Sequence, residues 1–204
     1  MKNWKYIIRV IGILTVGLLL VKMTYQFKYS TFMFDLIFFG GLTIIGLVFL
    51  IWSLFTDLKH FRTEKKIILL IPIGLAIIFT TTIWVWNVRI NSNFDKPTLV
   101  RIFYDGDFNG TGIDFKTDGT YIFDNSAIGL SDFIYGTYEI NGNRIILDKK
   151  TLDNVVVTNQ LEIRPKLIEY SDRTETEKYV FQIDENGNLI EKSTEFRLVV
   201  DNRK

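Results

Sequence analysis

IILLIPIGLAIIFTTTIWVWNV, residues 67–88, fills the 22 positions between Lys66 and Arg89 without one charged side chain. About 20 apolar residues at helical rise cross the roughly 30 Å hydrocarbon core of a bilayer. Two more such stretches precede it, at about residues 6–23 and 32–55. From residue 98 onward the pattern changes, and short apolar runs are punctuated by Asp, Asn and Gly, the chemistry of strands and turns. The sequence thus predicts three transmembrane helices within residues 1–90, a linker over 91–97 and an all-β domain over 98–204. The β domain is expected to be an antiparallel, small up-and-down barrel or curled meander of 8–10 strands.

Charge divides the same way. Residues 1–96 carry 11 Lys/Arg and 4 Asp/Glu, a net of +7, whereas residues 97–204 carry 13 and 19, a net of −6. An acidic domain is a poor surface for duplex nucleic acid, which is held by Lys and Arg on phosphates, so no nucleic-acid polymer is expected as a partner. The absence of cysteine excludes disulfides, thiolate metal sites and cysteine nucleophiles together.

The N-terminus begins like a signal peptide, with Lys2 and Lys5 ahead of an apolar run from Val10 to Val21. Residues 22–27 (KMTYQF) hold no small-x-small cleavage site, so the segment reads as a retained first span. Arg9 and Lys22, near its two ends, are expected to snorkel to the headgroups. Lys22 and Asp35 close the first span and open the second on one side, and either pair with each other or reach the headgroups separately. Gly12, Gly17, Gly40, Gly41 and Gly46 offer places for close helix approach, without a GxxxG pair. Trp4 and Trp52 mark one interface, and Trp84 and Trp86 the other. The N-terminal flank and second loop hold Lys2, Lys5, Arg9, Lys59, Arg62, Lys65 and Lys66; the other side holds Lys22, Lys28, Arg89, Lys96 and Arg101. The positive-inside rule then places the N-terminus in the cytoplasm and, after three spans, the β domain outside it.

Within the β domain, strands are expected at 99–104, 112–116, 120–123, 133–140, 144–148, 154–164, 166–170, 179–183, 189–192 and 195–200. Asp118-Gly119, Asn141-Gly142 and Asn186-Gly187 supply the turns, because these residues tolerate positive φ. Ile113, Phe115, Tyr121, Phe123, Tyr138, Ile146 and Phe181 are the positions expected to face the interior, as core or as ligand pocket. The stretches IDFKTDGTYIF (113–123) and YGTYEINGNRIIL (135–147) resemble bacterial lipocalin-like domains. There a strand ending in Asp-Gly-Thr-Tyr, here Asp118 to Tyr121, precedes a Gly-x-Tyr strand, here Gly136 and Tyr138, then a tight turn at Asn141 and Gly142 and an apolar strand. The resemblance implies an up-and-down barrel whose interior holds a small ligand, and it carries over no functional residues. From the strand pattern, Phe115, Tyr121, Phe123, Tyr138, Arg144 and Arg197 are the candidate ligand-binding residues, in the barrel interior or core. The order of membrane helices and small β-barrel is also similar to antiphage effectors of cyclic-oligonucleotide signalling (CBASS), in which a nucleotide on the barrel drives membrane disruption. An anionic ligand inside this acidic barrel requires Arg144, Arg164 or Arg197 to point inward.

Catalytic chemistry finds little support. Asp105-Gly-Asp107-Phe-Asn109-Gly110 matches the first six positions of a calcium loop, but Lys116 stands where a bidentate Glu belongs. Asp105, Asp107 and Asn109 are therefore read as a hairpin turn, and no metal is expected. His60, the sole histidine, falls in the predicted loop 59–66 and lacks ligand partners. Ser126 and Ser131 share a predicted loop with Asp124 and Asp132 but have no histidine to activate them. Asp118, Asp124, Asp132 and Asp148 are placed at strand ends. No enzyme activity and no cofactor are expected. The function read from these features is a membrane-anchored, extracytoplasmic barrel of the bacterial inner membrane that binds a small apolar ligand, a lipid or an envelope protein. The alternative is a CBASS-type effector with a cytoplasmic sensing barrel. Homo-oligomerisation is compatible with both.

Overall fold

The computed structural model describes residues 4–203, and the chain divides into two compact units, Met1–Asn93 and Phe94–Lys204. The first contains α1 (Trp4–Gln26), α2 (Met33–Glu64) and α3 (Ile71–Phe94). Each is long and apolar enough to cross a membrane, α3 together with the short 3₁₀ turn Ile67–Leu70 ahead of it. Lys2, counted above with the N-terminal flank, lies outside the described residues.

The helices overrun their predicted ends. α2 continues through the expected second loop, so His60 is helical, its Nδ1 2.6 Å from the Thr56 carbonyl. Lys65 ends the helix at φ 56°, with its N–H on the Phe61 carbonyl. Only then does the chain turn into α3. Pro72 lacks the N–H that would bond the carbonyl four residues back. That carbonyl, of Ile68, instead accepts the Ile71 N–H in the tightened turn and the Tyr6 hydroxyl at 2.5 Å. α3 runs on to Phe94, so most of the segment predicted as a linker is helical and only residues 95–97 separate helix from strand. α1 approaches its neighbours through Gly12, which lies under the Phe49 ring, and Gly17, under Phe79; a Cβ at either would overlap the ring. Gly40 and Gly41 touch nothing within 4 Å. Lys22 and Asp35 form no ion pair with each other.

The second unit contains β1 (Thr98–Gly106), β2 (Asn109–Lys116), β3 (Thr120–Ala127), β4 (Leu130–Asn141), β5 (Arg144–Leu147), β6 (Gln160–Glu169), β7 (Thr174–Gln182) and β8 (Phe196–Asp201). Each pairs antiparallel with the next, and β8 returns to pair with β1. The result is a closed eight-stranded up-and-down barrel, in which the short β5 pairs only with Tyr138–Asn141 of β4 and Gln160–Glu162 of β6. Register shifts between Thr98 and Val100, and between Arg101 and Ile102, are the bulges that let a sheet curl to closure.

Several expected strands are redrawn. The expected strand 154–164 begins only at Gln160 and joins the expected 166–170 as the single strand β6, which passes through Pro165 and ends at Glu169. The Ile163 N–H bonds the Asn143 carbonyl, so by alternation the Pro165 nitrogen also faces the β5 side. β5 pairing stops at Glu162, and the missing N–H costs no ladder bond. Residues 189–192 make only an isolated bridge, Ile183 to Leu189. Asp124, Ser126, Ser131 and Asp132 lie within β3 and β4 rather than in a loop, with Ser126 opposite Ser131. Ile113, Phe115, Tyr121, Phe123 and Tyr138 do face the core. Ile146 is 43% exposed and Phe181 faces outward, because the one-residue alternation instead sends Ile145, Leu147, Val180 and Gln182 inward.

Candidate functional site

The barrel interior is filled. Val100, Ile102, Phe115, Phe123, Ile145 and Leu161 are all fully buried, and every strand contributes to one cluster, the usual state of an eight-stranded barrel. Phe115 and Tyr138 rings meet edge-on at 4.8 Å between centroids. The Tyr121 hydroxyl is buried; burial first, and then the nearby Asp148 carboxylate, push its pKa up. Of the candidate ligand-binding residues, Phe115, Tyr121, Phe123 and Tyr138 therefore lie in packed core.

Two buried polar side chains close the barrel at opposite ends. At the end of β2, Lys116 is 2% exposed. Its Nζ donates to the carbonyls of Phe94 (2.8 Å) and Lys96 (3.0 Å) and to Asp114 Oδ2 (2.8 Å). An ammonium has three donors, and all three are used. Thr117 N–H bonds the Pro97 carbonyl at 2.9 Å, and Tyr138 donates to the Lys116 carbonyl at 2.7 Å. Beside them Lys96 pairs with Asp118 at 2.8 Å; that bond and the Thr120 hydroxyl lower the Asp118 pKa to about 2. At the other end, residues 152–156 form a miniature hairpin with Asp153 and Asn154 at φ 46° and 55°, and Leu152 and Val156 plug the core. Gln182 binds this plug to the loop before β8. Its Oε1 accepts the Val157 N–H at 2.7 Å, and its Nε2 donates to Val155 (2.9 Å) and Thr194 (3.0 Å) carbonyls.

The outer face of the barrel carries an open groove. A groove of about 700 Å³ is walled by β1, β6, β7, β8 and the loop at residues 192–195. The strand registers set Phe103 opposite Arg197, Arg197 opposite Tyr179 and Tyr179 opposite Arg164. The outward row therefore alternates aromatic and cationic groups. Arg197 is exposed and pairs with Glu177 at 2.8 Å. Lys166 pairs with Glu195 and lies 5.0 Å from the Tyr179 ring centroid, within cation–π range. Lys192, left-handed at φ 59°, lines the groove with no ion pair among the described residues. Asp105 contributes a carboxylate at the far wall.

The arginines do not point inward. Arg197 is in the outer row, Arg164 bonds Glu162 and the Gly187 carbonyl (2.9 Å), and exposed Arg144 abuts the same Gly187 turn. The structure thus brings Arg197 and Asp105 to one groove and leaves Arg144 on another part of the surface. Asp105, Asp107 and Asn109 form the β1–β2 hairpin, with Asp107 at φ 65°. Among the described residues no three His, Asp or Glu side chains gather as a metal site.

A second polar cluster lies between α1 and α2. Arg9, expected to snorkel, is instead 5% exposed, and Asp57 is 1%. Their fork is bidentate, with Nε to Oδ2 at 3.0 Å and Nη2 on Oδ1. The guanidinium carbon sits 5.1 Å from the Trp52 ring centroid. The sequence carries a signal, since Asp57 is the one carboxylate in α2 between Asp35 and Glu64, but it lies beyond the apolar run that ends at residue 55.

Three long apolar helices followed by a closed, eight-stranded antiparallel barrel define a class of architecture: a candidate membrane anchor carrying a β-barrel. No protein-family model, curated protein or solved structure matches the chain.

Proposed function

We propose that the protein is a membrane-anchored binding module whose barrel recognises a protein partner on its outer groove. One observation carries this reading: both ends of the barrel are closed by Lys116 and Gln182, while the groove at Arg197 stands open. A small apolar ligand inside the barrel would have to displace packed aromatic side chains. The groove holds Lys166, Lys192 and Arg197 against Asp105, Glu195 and Glu177, with Phe103, Tyr104 and Tyr179 between them. Mixed charge around aromatic anchors is the chemistry of protein interfaces.

The second reading, a cyclic-nucleotide-gated membrane effector, draws on the same aromatic and cationic row, with unpaired Lys192 at its rim. The carboxylates facing Lys166 and Arg197 weigh against it.

A photo-crosslinking residue at Val199, 56% exposed in the groove, should give a discrete adduct in cells that Arg197→Glu abolishes. The same probe at exposed Glu139 should give none. Equal adducts at both positions, or none at Val199, would defeat the partner reading. A rise in the melting temperature of the full chain with a micromolar cyclic dinucleotide would favour the effector instead.

A further inference from the structure

Within the helical unit, a cleft of about 270 Å³ lies among α1, α2 and α3. Its floor is Ile13, Val16 and Leu20 of α1, all nearly or fully buried. Its walls include Leu47 and Leu50 of α2 and Phe79 of α3. It opens where Leu47 is 50% exposed and Thr80 is exposed, onto the apolar outer faces carrying Ile44 and Ile77. The Thr43 hydroxyl in its lining is already satisfied by the Phe39 carbonyl at 2.8 Å. A cavity of this kind holds no water, and one of about 150 Å³ lined by Leu, Ile and Phe already takes up benzene.

Depth selects the occupant. Ile13 is nine residues into α1, about 14 Å along the helix at 1.5 Å per residue. The cleft is therefore at mid-span in α1, and its other walls lie at comparable depth in α2 and α3. A headgroup cannot reach there without burying its charge in hydrocarbon. A transmembrane helix from a second copy is too wide for it, since packed helix axes stay about 8–10 Å apart. Moreover, Gly17 and Gly46, the small residues that would admit one, are already covered by Phe79 and Val16.

We propose that the cleft is a binding site for a single hydrocarbon chain, the tail of a lipid entering sideways between α2 and α3. It rests on reading the helices as membrane spans and is independent of the outer groove of the barrel.

The full chain is reconstituted in nanodiscs containing a phosphatidylglycerol with a diazirine near the end of one acyl chain. A parallel sample uses diazirine-labelled free palmitate. Crosslinks should concentrate on the lining residues Thr43, Leu47, Leu50, Phe79 and Ile83, from whichever source the site takes its chain. Ala76→Phe, which fills the cleft, should reduce them about tenfold, while Ile78→Phe on the exposed face leaves them unchanged. Leu50→Ala, which enlarges the cleft, should raise them, and keeps the test decisive if Ala76→Phe fails to fold. Labelling spread evenly over Ile37, Ile44 and Ile78, or unaffected by these variants, would mean annular lipid only and overturn the proposal. Complete disulfide formation between copies carrying Leu47→Cys would overturn it too, by placing a protein neighbour over the opening.

Discussion

A buried ammonium must find an acceptor for each of its hydrogens, and Lys116 finds two backbone carbonyls and a carboxylate. This one side chain holds the segment 94–97 to the start of the barrel. Lys116→Met keeps the stem but leaves the Phe94 and Lys96 carbonyls and Asp114 without their donor. Unsatisfied buried groups cost about 1–3 kcal/mol each, less where water enters, so a loss of roughly 2–4 kcal/mol is expected. For a domain of this size that lowers the melting temperature by about 10 °C or more, measurable by thermal denaturation of the full chain in detergent. An unchanged melting curve would show that Lys116 merely fills space. At this scale the sequence is least legible. In the sequence Lys116 reads only as the residue that spoils a calcium loop, and Gln182 carries no local signal. A buried polar residue is recognised by what surrounds it, and the carbonyls that hold Lys116 lie 20–22 positions away and the partners of Gln182 12–27.

Elements are more legible because periodicity and turn chemistry are local. The three apolar runs became three helices, and Gly119, Gly142 and Gly187 all adopt positive φ at predicted turns. The misses have physical causes. Hydrophobicity locates the bilayer-spanning part of a helix but not the polar turns beyond it, so α2 was cut short of His60. The strands expected at 154–164 and 166–170 stop on either side of Pro165, yet β6 runs through it because β5 does not extend that far. Ending α2 early also hid Asp57 and left Arg9 as a snorkelling residue. Removing one partner of a buried ion pair typically costs about 3–5 kcal/mol, whereas replacing both by apolar residues is often neutral or stabilising. Arg9→Met and Asp57→Leu should therefore each destabilise the full chain by about that amount, and the double variant should recover most of it. Thermal melts in one detergent test this. Additive losses in the double variant would mean that the two side chains act separately.

At the scale of the whole molecule, the asymmetry of charge remains the clearest guide to orientation. Lys59, Arg62, Lys65 and Lys66 fall within eight residues at the end of α2 and the turn after it, and no comparable group lies on the opposite side. Arg9 adds less than its count implied, since Asp57 neutralises it. Basic residues this close to span ends are the ones that set topology, which leads to a definite expectation. The chain has no cysteine, so a single introduced thiol reports its own compartment. Ser171→Cys, in the exposed β6–β7 turn, should react with a membrane-impermeant maleimide in intact bacterial spheroplasts. Thr63→Cys, exposed near the end of α2, should react only after the membrane is opened. This pattern puts the groove where an envelope partner can reach it. The reverse would place the barrel in the cytosol and move the cyclic-nucleotide reading ahead of the partner reading. Labelling of both thiols before lysis would contradict a three-span arrangement altogether, because an odd number of crossings must put the second turn and the barrel on opposite sides.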